Sequence, residues 1–148
     1  SLQLETQKKT CQLLPFLTDK MEREIACGNF EDAVRKKLLN RLFSLPEGTS
    51  LCHGDFSPEN VIISENGTPY IIDWPHASQG TALADAAKTY LLFLLEGDSA
   101  GAGEYLAFFC KKSGSEEEDI RKCMPVVAAA QTAKGNEKER SFYRTWIG

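Results

Sequence analysis

Residues 51–74 read LCHGDFSPENVIISENGTPYIIDW, and no other segment of the chain says as much about its architecture. A polar loop from His53 to Asn60 is followed by a β-branched run, Val61-Ile62-Ile63, that is typical of a strand. The dipeptide Asn66-Gly67 is a strong signal for a tight turn between two paired strands. A second apolar run follows the turn and ends at Asp73. We therefore expect a β-hairpin that brings Asp73 back beside the polar loop.

This hairpin places three oxygen-bearing side chains, those of Asp55, Asn60 and Asp73, at one of its ends. Two carboxylates and one amide oxygen suit a hard cation such as Mg²⁺, which prefers oxygen ligands. Protein sites of this kind usually complete the coordination of Mg²⁺ with water and substrate phosphates. The residues alone therefore indicate metal-assisted phosphate chemistry.

The segments on either side of the hairpin have the apolar periodicity of helices. One helix is predicted over residues 3–27 and a second up to residue 44, and several more over residues 82–147, with a break at Pro125 because proline has no amide donor. The fold class expected is α+β, mainly α, with helices around a central β-hairpin. We predict a single domain, 1–148, with helical parts 3–44 and 82–147 around the loop and hairpin of residues 50–74.

Composition excludes some classes of function. The chain has 148 residues and a formal net charge of −4, and it lacks the basic excess that nucleic-acid binding usually requires. No apolar run reaches the length of a membrane span. The five cysteines are scattered and form no C-x-x-C pair, a usage that indicates a reduced, cytoplasmic protein. We expect neither a nucleic-acid partner nor a membrane partner.

The loop pattern H-x-D-x-x-x-x-N, followed by a strand and a second Asp, is the catalytic-loop arrangement of kinases. The wording of residues 51–62, with Ile72-Asp73-Trp74 after it, resembles the aminoglycoside phosphotransferase and choline kinase family. Residues 80–92 resemble the next helix of that family. The resemblance implies the C-terminal lobe of a protein-kinase-like fold, with Mg²⁺ as cofactor and ATP or GTP as co-substrate.

The resemblance also implies roles for single residues. Asp55 matches the catalytic base, and Asn60 and Asp73 match the metal ligands. His53 and Asp85 match residues that support the catalytic loop structurally. The acceptor implied is a small molecule with a hydroxyl group, such as an aminoglycoside or choline, and the sequence does not identify it further.

Four other residues fall in the vicinity of substrate or nucleotide. Ser57 and Glu59 stand where many relatives have His and Gly, so they depart from the family pattern inside the loop. Trp74 and His76 follow directly after Asp73. A packing role is favoured for Trp74 and a surface position for His76.

A kinase of this type also needs a phosphate-covering loop and a lysine that pairs with the phosphates. The residues ahead of Asp55 have helical periodicity and contain no glycine-rich strand pair. We therefore expect that this chain lacks the N-terminal lobe and requires it as a partner from the same protein. Alone, the chain is expected to turn over little or no substrate.

Two other functions remain open from the residues. The chain could be a catalytically idle kinase-like lobe that serves as a binding module. It could also be a metal-dependent hydrolase with Zn²⁺ or Mn²⁺ held by His53, Asp55, Asp73 and His76.

Overall fold

A computed structural model describes the whole chain, residues 1–148. It contains seven α-helices, four three-residue strands and one short 3₁₀ turn at Pro58–Asn60. The helices are α1 (Leu2–Gln7), α2 (Leu17–Ala26), α3 (Asp32–Ser44), α4 (Ala82–Leu95), α5 (Ser99–Ser113), α6 (Glu117–Gln131) and α7 (Glu137–Arg144). The strands are β1 (Ser50–Cys52), β2 (Val61–Ile63), β3 (Pro69–Ile71) and β4 (Ser78–Gly80). No helix is both long and apolar enough to cross a membrane.

The strands form two separate antiparallel pairs. The predicted hairpin forms as β2–β3, with Val61 opposite Ile71 and Ile63 opposite Pro69. Gly67 closes its turn at φ 84°, a left-handed conformation that glycine adopts without cost. The second pair, β1–β4, aligns Cys52 with Ser78. Strand β4 was not predicted, because Ser78-Gln79-Gly80 has no alternation of apolar and polar residues.

The core lies between α4 and α6, with α2, α3 and α5 packed around them. Both central helices bury small residues, and these allow close approach of the helix backbones. The fully buried alanines of these two helices are Ala84, Ala86, Ala87, Ala128, Ala129 and Ala130. The hairpin β2–β3 lies outside this core, and the loop of residues 53–60 leads directly into its first strand. The predicted class, α+β and mainly α with helices around a hairpin, is confirmed.

The single helix predicted over residues 3–27 is wrong. It is two helices, α1 and α2, separated by the irregular segment 8–16. Pro15 lies in this segment, and proline disfavours a helical conformation in the residue before it. The segment's carbonyls are used by strands instead: Lys9 accepts from the amide of Leu51 at 2.9 Å, and Pro15 accepts from that of Gln79 at 3.0 Å. The irregular segment thus completes the small β1–β4 sheet.

The break predicted at Pro125 is also absent, since α6 runs through this residue from Glu117 to Gln131. The residues on both sides of it are buried, including Met124 and Val126. Burial of this apolar surface against α4 outweighs the loss of one amide donor inside the helix. Tertiary packing therefore decides the continuity of α6 against the local preference of proline.

All five cysteines are free thiols. Cys52 and Cys123 are completely buried, Cys11 and Cys110 are half-buried, and Cys27 is exposed. Burial raises the pKa of Cys123 to about 12, so its thiol stays protonated and acts as a small apolar core residue.

Candidate active site

The loop between β1 and β2 carries most of the polar residues singled out in the sequence. Strand β1 ends at Cys52, and the 3₁₀ turn at Pro58–Asn60 leads directly into β2. Gly54 lies in this loop at φ 83°, and a Cβ there would meet the carbonyl oxygen of His76 at 2.8 Å. The loop therefore needs glycine at this position for its backbone conformation and for its close approach to residue 76.

Asp55 and Asn60 are joined by their side chains. The Asn60 Nδ2 group donates to the backbone carbonyl of Asp55 at 2.8 Å and to its carboxylate Oδ2 at 3.1 Å. Both amide hydrogens of Asn60 are thus used within the loop. Its Oδ1 atom is left as a free acceptor, which is the atom that binds a cation such as Mg²⁺.

Asp73 is placed beside Asn60 by the hairpin. Just beyond the last residue of β3, the amide of Ile72 donates to the carbonyl of Asn60 at 2.9 Å. Asp73 follows at φ 63°, and it is the one non-glycine residue with positive φ in the chain. Backbone strain of this kind costs about 1–3 kcal/mol and concentrates at functional positions. Asp55, Asn60 and Asp73 then line one open cleft.

His53 is almost completely buried and holds the loop to the hairpin. Its Nδ1 accepts from the amide of Asp55 at 3.1 Å, and its Nε2 lies 2.8 Å from the carbonyl oxygen of Ile72. Since Nδ1 is an acceptor, the ring is neutral with its hydrogen on Nε2, which donates to Ile72. The ring of Trp74 packs on it at a centroid distance of 4.6 Å. Both nitrogens are therefore engaged in bonds, one to the backbone of Asp55 and one to Ile72, the residue before Asp73.

Asp85, near the start of α4, holds the loop from the opposite side. Its Oδ1 accepts from the amide of Gly54 at 3.0 Å. Its Oδ2 accepts from the side-chain amides of Gln3 at 3.1 Å and Gln7 at 3.0 Å. Sequence reasoning missed both glutamines, because about eighty positions separate them from Asp85 and no local pattern marks them.

The other residues predicted near the site lie in different surroundings. Ser57 and Glu59 line the cleft with Asn60 and Asp73. His76 lies in an adjoining recess that also contains Asp55. Trp74 packs against His53, and its indole nitrogen donates to the carbonyl of Ile71 at 2.9 Å.

This recess contains charged residues that sequence reasoning did not single out. Lys88 of α4 and Lys134 after α6 line it together with Gln131 and Tyr143. Lys88 is buried, with 8% of its surface exposed. One signal in the sequence could have revealed it: it is a lysine within the apolar stretch of α4, one position after the inward-facing Ala86-Ala87 pair.

A second type of metal site does not form. No group of three or more His, Cys, Asp or Glu side chains lies close enough to hold an ion. Both nitrogens of His53 are already hydrogen-bonded, and His76 does not line the cleft that contains Asp73. The four-residue Zn²⁺ or Mn²⁺ site considered for a hydrolase is therefore not assembled, whereas the oxygen donors of Asn60 and Asp73 fit Mg²⁺.

Comparison with known proteins gives two findings. A family model described as the phosphotransferase enzyme family, APH, matches residues 4–124. Choline kinase LicA from Streptococcus pneumoniae has a similar structure, with a TM-score of 0.70 and 19% sequence identity, and LicA in complex with AMP gives 0.64 and 18%. No curated protein matches the sequence.

Each of these two alignments covers 99% of this chain and 59% of the LicA chain. The chain therefore spans well under two thirds of the length of the structures that it matches. At this level of identity the similarity shows the fold, which is that of one lobe of a kinase-like protein.

Proposed function

Since the chain belongs to the phosphotransferase enzyme family, as its loop motif predicted, we propose that it is the catalytic lobe of an ATP- or GTP-dependent small-molecule kinase. The observation that carries this proposal is the shared cleft of Asp55, Asn60 and Asp73. Phosphoryl transfer depends mainly on positioning and on charge neutralisation. A fixed carboxylate beside two free oxygen donors supplies both.

Asp55 is the proposed catalytic base. Its carboxylate is held by Asn60 at 3.1 Å and its backbone amide by His53 at 3.1 Å, so it has a fixed orientation. The acceptor hydroxyl oxygen forms the new bond to phosphorus while the bond to the β-phosphate oxygen breaks. The hydroxyl proton passes to Asp55. A positioned base of this kind contributes roughly 10²–10⁴-fold to the rate.

Asn60 and Asp73 are the proposed Mg²⁺ ligands. Both residues line the same cleft, and the Ile72–Asn60 hydrogen bond holds the backbone before Asp73 beside Asn60. When bound, Mg²⁺ neutralises charge on the nucleotide phosphates. The positive φ of Asp73 supports this role, because strained backbone conformations concentrate at functional positions.

We further propose that the nucleotide and a clamping lobe cover the hairpin side of the cleft. The apolar side chains of the hairpin are unusually exposed for their size: Ile62 51%, Ile63 61%, Tyr70 56% and Ile72 39%. An apolar surface beside a phosphate site suits a nucleobase and the lobe that closes over it. On this proposal 1–148 is one domain, the N-terminal lobe is a required partner, and the chain alone turns over little. The enzyme acts in the cytoplasm, where ATP is available.

An idle binding module is the second candidate. The fixed geometry of Asp55 and Asn60 and the strain at Asp73 count against it, because a lobe without chemistry has no use for either. The hydrolase has no assembled metal site to support it.

A phosphorylation screen of small hydroxylated compounds with the full-length gene product tests the proposal. Asp55→Asn should lower kcat by about 10²–10⁴-fold with little change in nucleotide affinity. Asp19→Asn, an exposed change on α2, is the matched control and should leave kcat unchanged. Activity that survives Asp55→Asn would contradict the assignment of the base. Efficient turnover by residues 1–148 alone would contradict the requirement for a clamping lobe.

A further inference from the structure

The recess that adjoins Asp55 is lined by three lysines, and we call it the lysine recess. It is defined by Lys20, His76, Lys88, Gln131 and Lys134. It consists of two adjoining cavities that share the last four of these residues. The larger one reaches Asp55. The cleft with Asn60 and Asp73 adjoins this cavity, and Asp55 lines both of them. Asp55 is therefore within reach of the cleft and of the lysine recess, where an acceptor hydroxyl would meet it.

Lys88 has no ion pair within the protein. Its ammonium group makes one long hydrogen bond, 3.4 Å to the hydroxyl of Tyr143, and lies 5.3 Å from the centre of that ring. A buried cation with so little compensation is unfavourable unless an anion completes it. Burial lowers the pKa of Lys88 to about 8, so the side chain is still mostly charged at neutral pH.

The carboxylates around the recess are engaged elsewhere. Glu24 pairs with Lys134 at 3.3 Å, and Glu139 accepts from the amide of Asn136 at 2.8 Å. Asp85 is shared by Gly54 and two glutamines on the opposite side of the loop. Asp55 is held by Asn60. None of these four forms a salt bridge with Lys88.

The charged residues of the recess act on the pKa of His76. Its pKa is lowered by burial first, and then by Lys134 and Lys20, with Lys88 acting in the same direction. Asp55 alone acts the other way. At His76 the three lysines therefore act against Asp55, in a recess that is also lined by Glu24, Asp85 and Glu139.

The aromatic group in the recess is already occupied by a cation. Quaternary ammonium ligands are recognised by aromatic faces, and Tyr143 is the one aromatic residue that lines the cavity. Its ring interacts with the ammonium group of Lys88. A cationic acceptor would have to bind next to the ammonium group of Lys88, and the repulsion between the two like charges is unfavourable.

From these contacts we propose that the lysine recess binds a carboxylate of the acceptor, with Lys88 and Lys134 as its partners. The acceptor is then a small hydroxylated acid whose hydroxyl group reaches Asp55. This inference rests on the proposed phosphotransferase function and narrows its substrate class. The protein distinguishes acceptors by charge, because a carboxylate forms an ion pair with Lys88 and an ammonium group does not.

Two sets of matched probes test the inference by NMR titration of the chain. One set is glycerate, glycerol and 3-amino-1,2-propanediol, and the other is gluconate, sorbitol and glucamine. Within each set the carbon skeleton is constant and the terminal group is anionic, neutral or cationic. The carboxylate of at least one set should bind about tenfold more tightly than its neutral and cationic partners, and should shift the signals of Lys88 and Lys134. Equal binding of all three members in both sets, or no binding at all, would overturn the proposal.

Variants identify the residues responsible. Lys88→Met should remove the preference for the carboxylate, while Lys111→Met, an exposed change on α5, should preserve it. The Lys88 change retains length and apolar volume, so the fold is maintained, and a urea unfolding curve checks this. A loss of MgAMP affinity in Lys88→Met with unchanged carboxylate binding would assign the lysine to the nucleotide phosphates and refute the inference.

The same measurements separate this inference from the proposed function. Carboxylate binding that depends on Lys88, in a protein that phosphorylates nothing, would support the recess and contradict the kinase. Phosphorylation of neutral or cationic alcohols, unaffected by Lys88→Met, would support the kinase and contradict the anionic acceptor.

Discussion

The backbone of Ile72 is fixed at both ends: its amide donates to the carbonyl of Asn60 at 2.9 Å, and its carbonyl accepts from Nε2 of His53 at 2.8 Å. The first bond extends the hairpin by one residue beyond β3. The second ties the hairpin to the buried base of the loop. Asp73 comes directly after this fixed peptide, so its carboxylate is positioned by contacts that do not involve its own side chain.

Asp73→Gly should stabilise the protein while it abolishes catalysis. Glycine adopts φ 63° without the steric cost that a Cβ imposes, and the gain expected is about 1 kcal/mol. The lost carboxylate removes a proposed Mg²⁺ ligand. Urea unfolding of the chain measures the first effect, and turnover of the full-length gene product measures the second. A less stable glycine variant would show that the carboxylate stabilises the free protein.

Gly54→Ala should destabilise the chain more than Gly67→Ala does. Both glycines have nearly the same φ, 83° and 84°, so both variants carry the same cost of a left-handed alanine, about 1 kcal/mol. A Cβ at residue 54 would also lie 2.8 Å from the carbonyl oxygen of His76, whereas nothing is within 4 Å at residue 67. The difference in unfolding free energy, expected to be about 1–3 kcal/mol, measures the contact with residue 76. Equal losses would mean that the loop moves away from His76 without cost.

Asp85→Ala should cost about 3 kcal/mol of unfolding free energy, because it leaves the amides of Gly54, Gln3 and Gln7 without their buried acceptor. Asp85→Asn retains one acceptor oxygen and should cost less. Urea denaturation at neutral pH gives both values. Glu118→Gln, at an exposed position of α6, is the control and should stay within about 0.5 kcal/mol of the parent. A similarly small effect of Asp85→Ala would exclude a structural role for this carboxylate.

Lys88 should make the free energy of unfolding depend on pH in the alkaline range. Burial lowers its pKa from the ordinary 10.5 to about 8, so the unfolded chain binds this proton more tightly than the folded protein. Stability therefore rises as the pH increases from about 8 to about 10, and the burial cost is fully present below pH 8. The lowered pKa corresponds to about 3 kcal/mol at most.

Lys88→Met should accordingly be more stable than the parent at pH 7, by about 1–3 kcal/mol, and the advantage should shrink at pH 9.5. Denaturant unfolding at the two pH values measures this difference. An advantage that is absent at pH 7 would mean that Lys88 is not penalised by burial. Such a result would weaken the case for an anionic ligand without affecting the assignment of Asp55.

The features that sequence predicted correctly are local ones. Asn66-Gly67 determines the turn, and the two apolar runs determine the strands. Asp55 and Asn60 are close enough along the chain for the Asn60 side chain to reach the Asp55 carbonyl directly. The helical periodicity predicted from residue 82 onward is likewise confirmed by α4, which runs from Ala82 to Leu95. The roles given to Asp55, Asn60 and Asp73 stay predictions, because contacts alone do not demonstrate catalysis.

The errors come from contacts between distant segments. The carbonyls of residues 9 and 15 pair with β1 and β4, and this pairing interrupts the helix that periodicity predicted. Packing of α6 against α4 carries the helix through Pro125. In both cases the tertiary contacts stabilise the fold by more than it costs to act against the local conformational preference.

The amino-acid order by itself determined the catalytic-loop motif, the hairpin and the family, since these depend on residues that are neighbours along the chain. Only the folded protein decided that Gln3 and Gln7 reach Asp85, and that Lys88 lies unpaired beside Asp55 in a recess with Lys134. Burial and charge compensation are properties of surroundings assembled from several helices. No spacing within one helix encodes them.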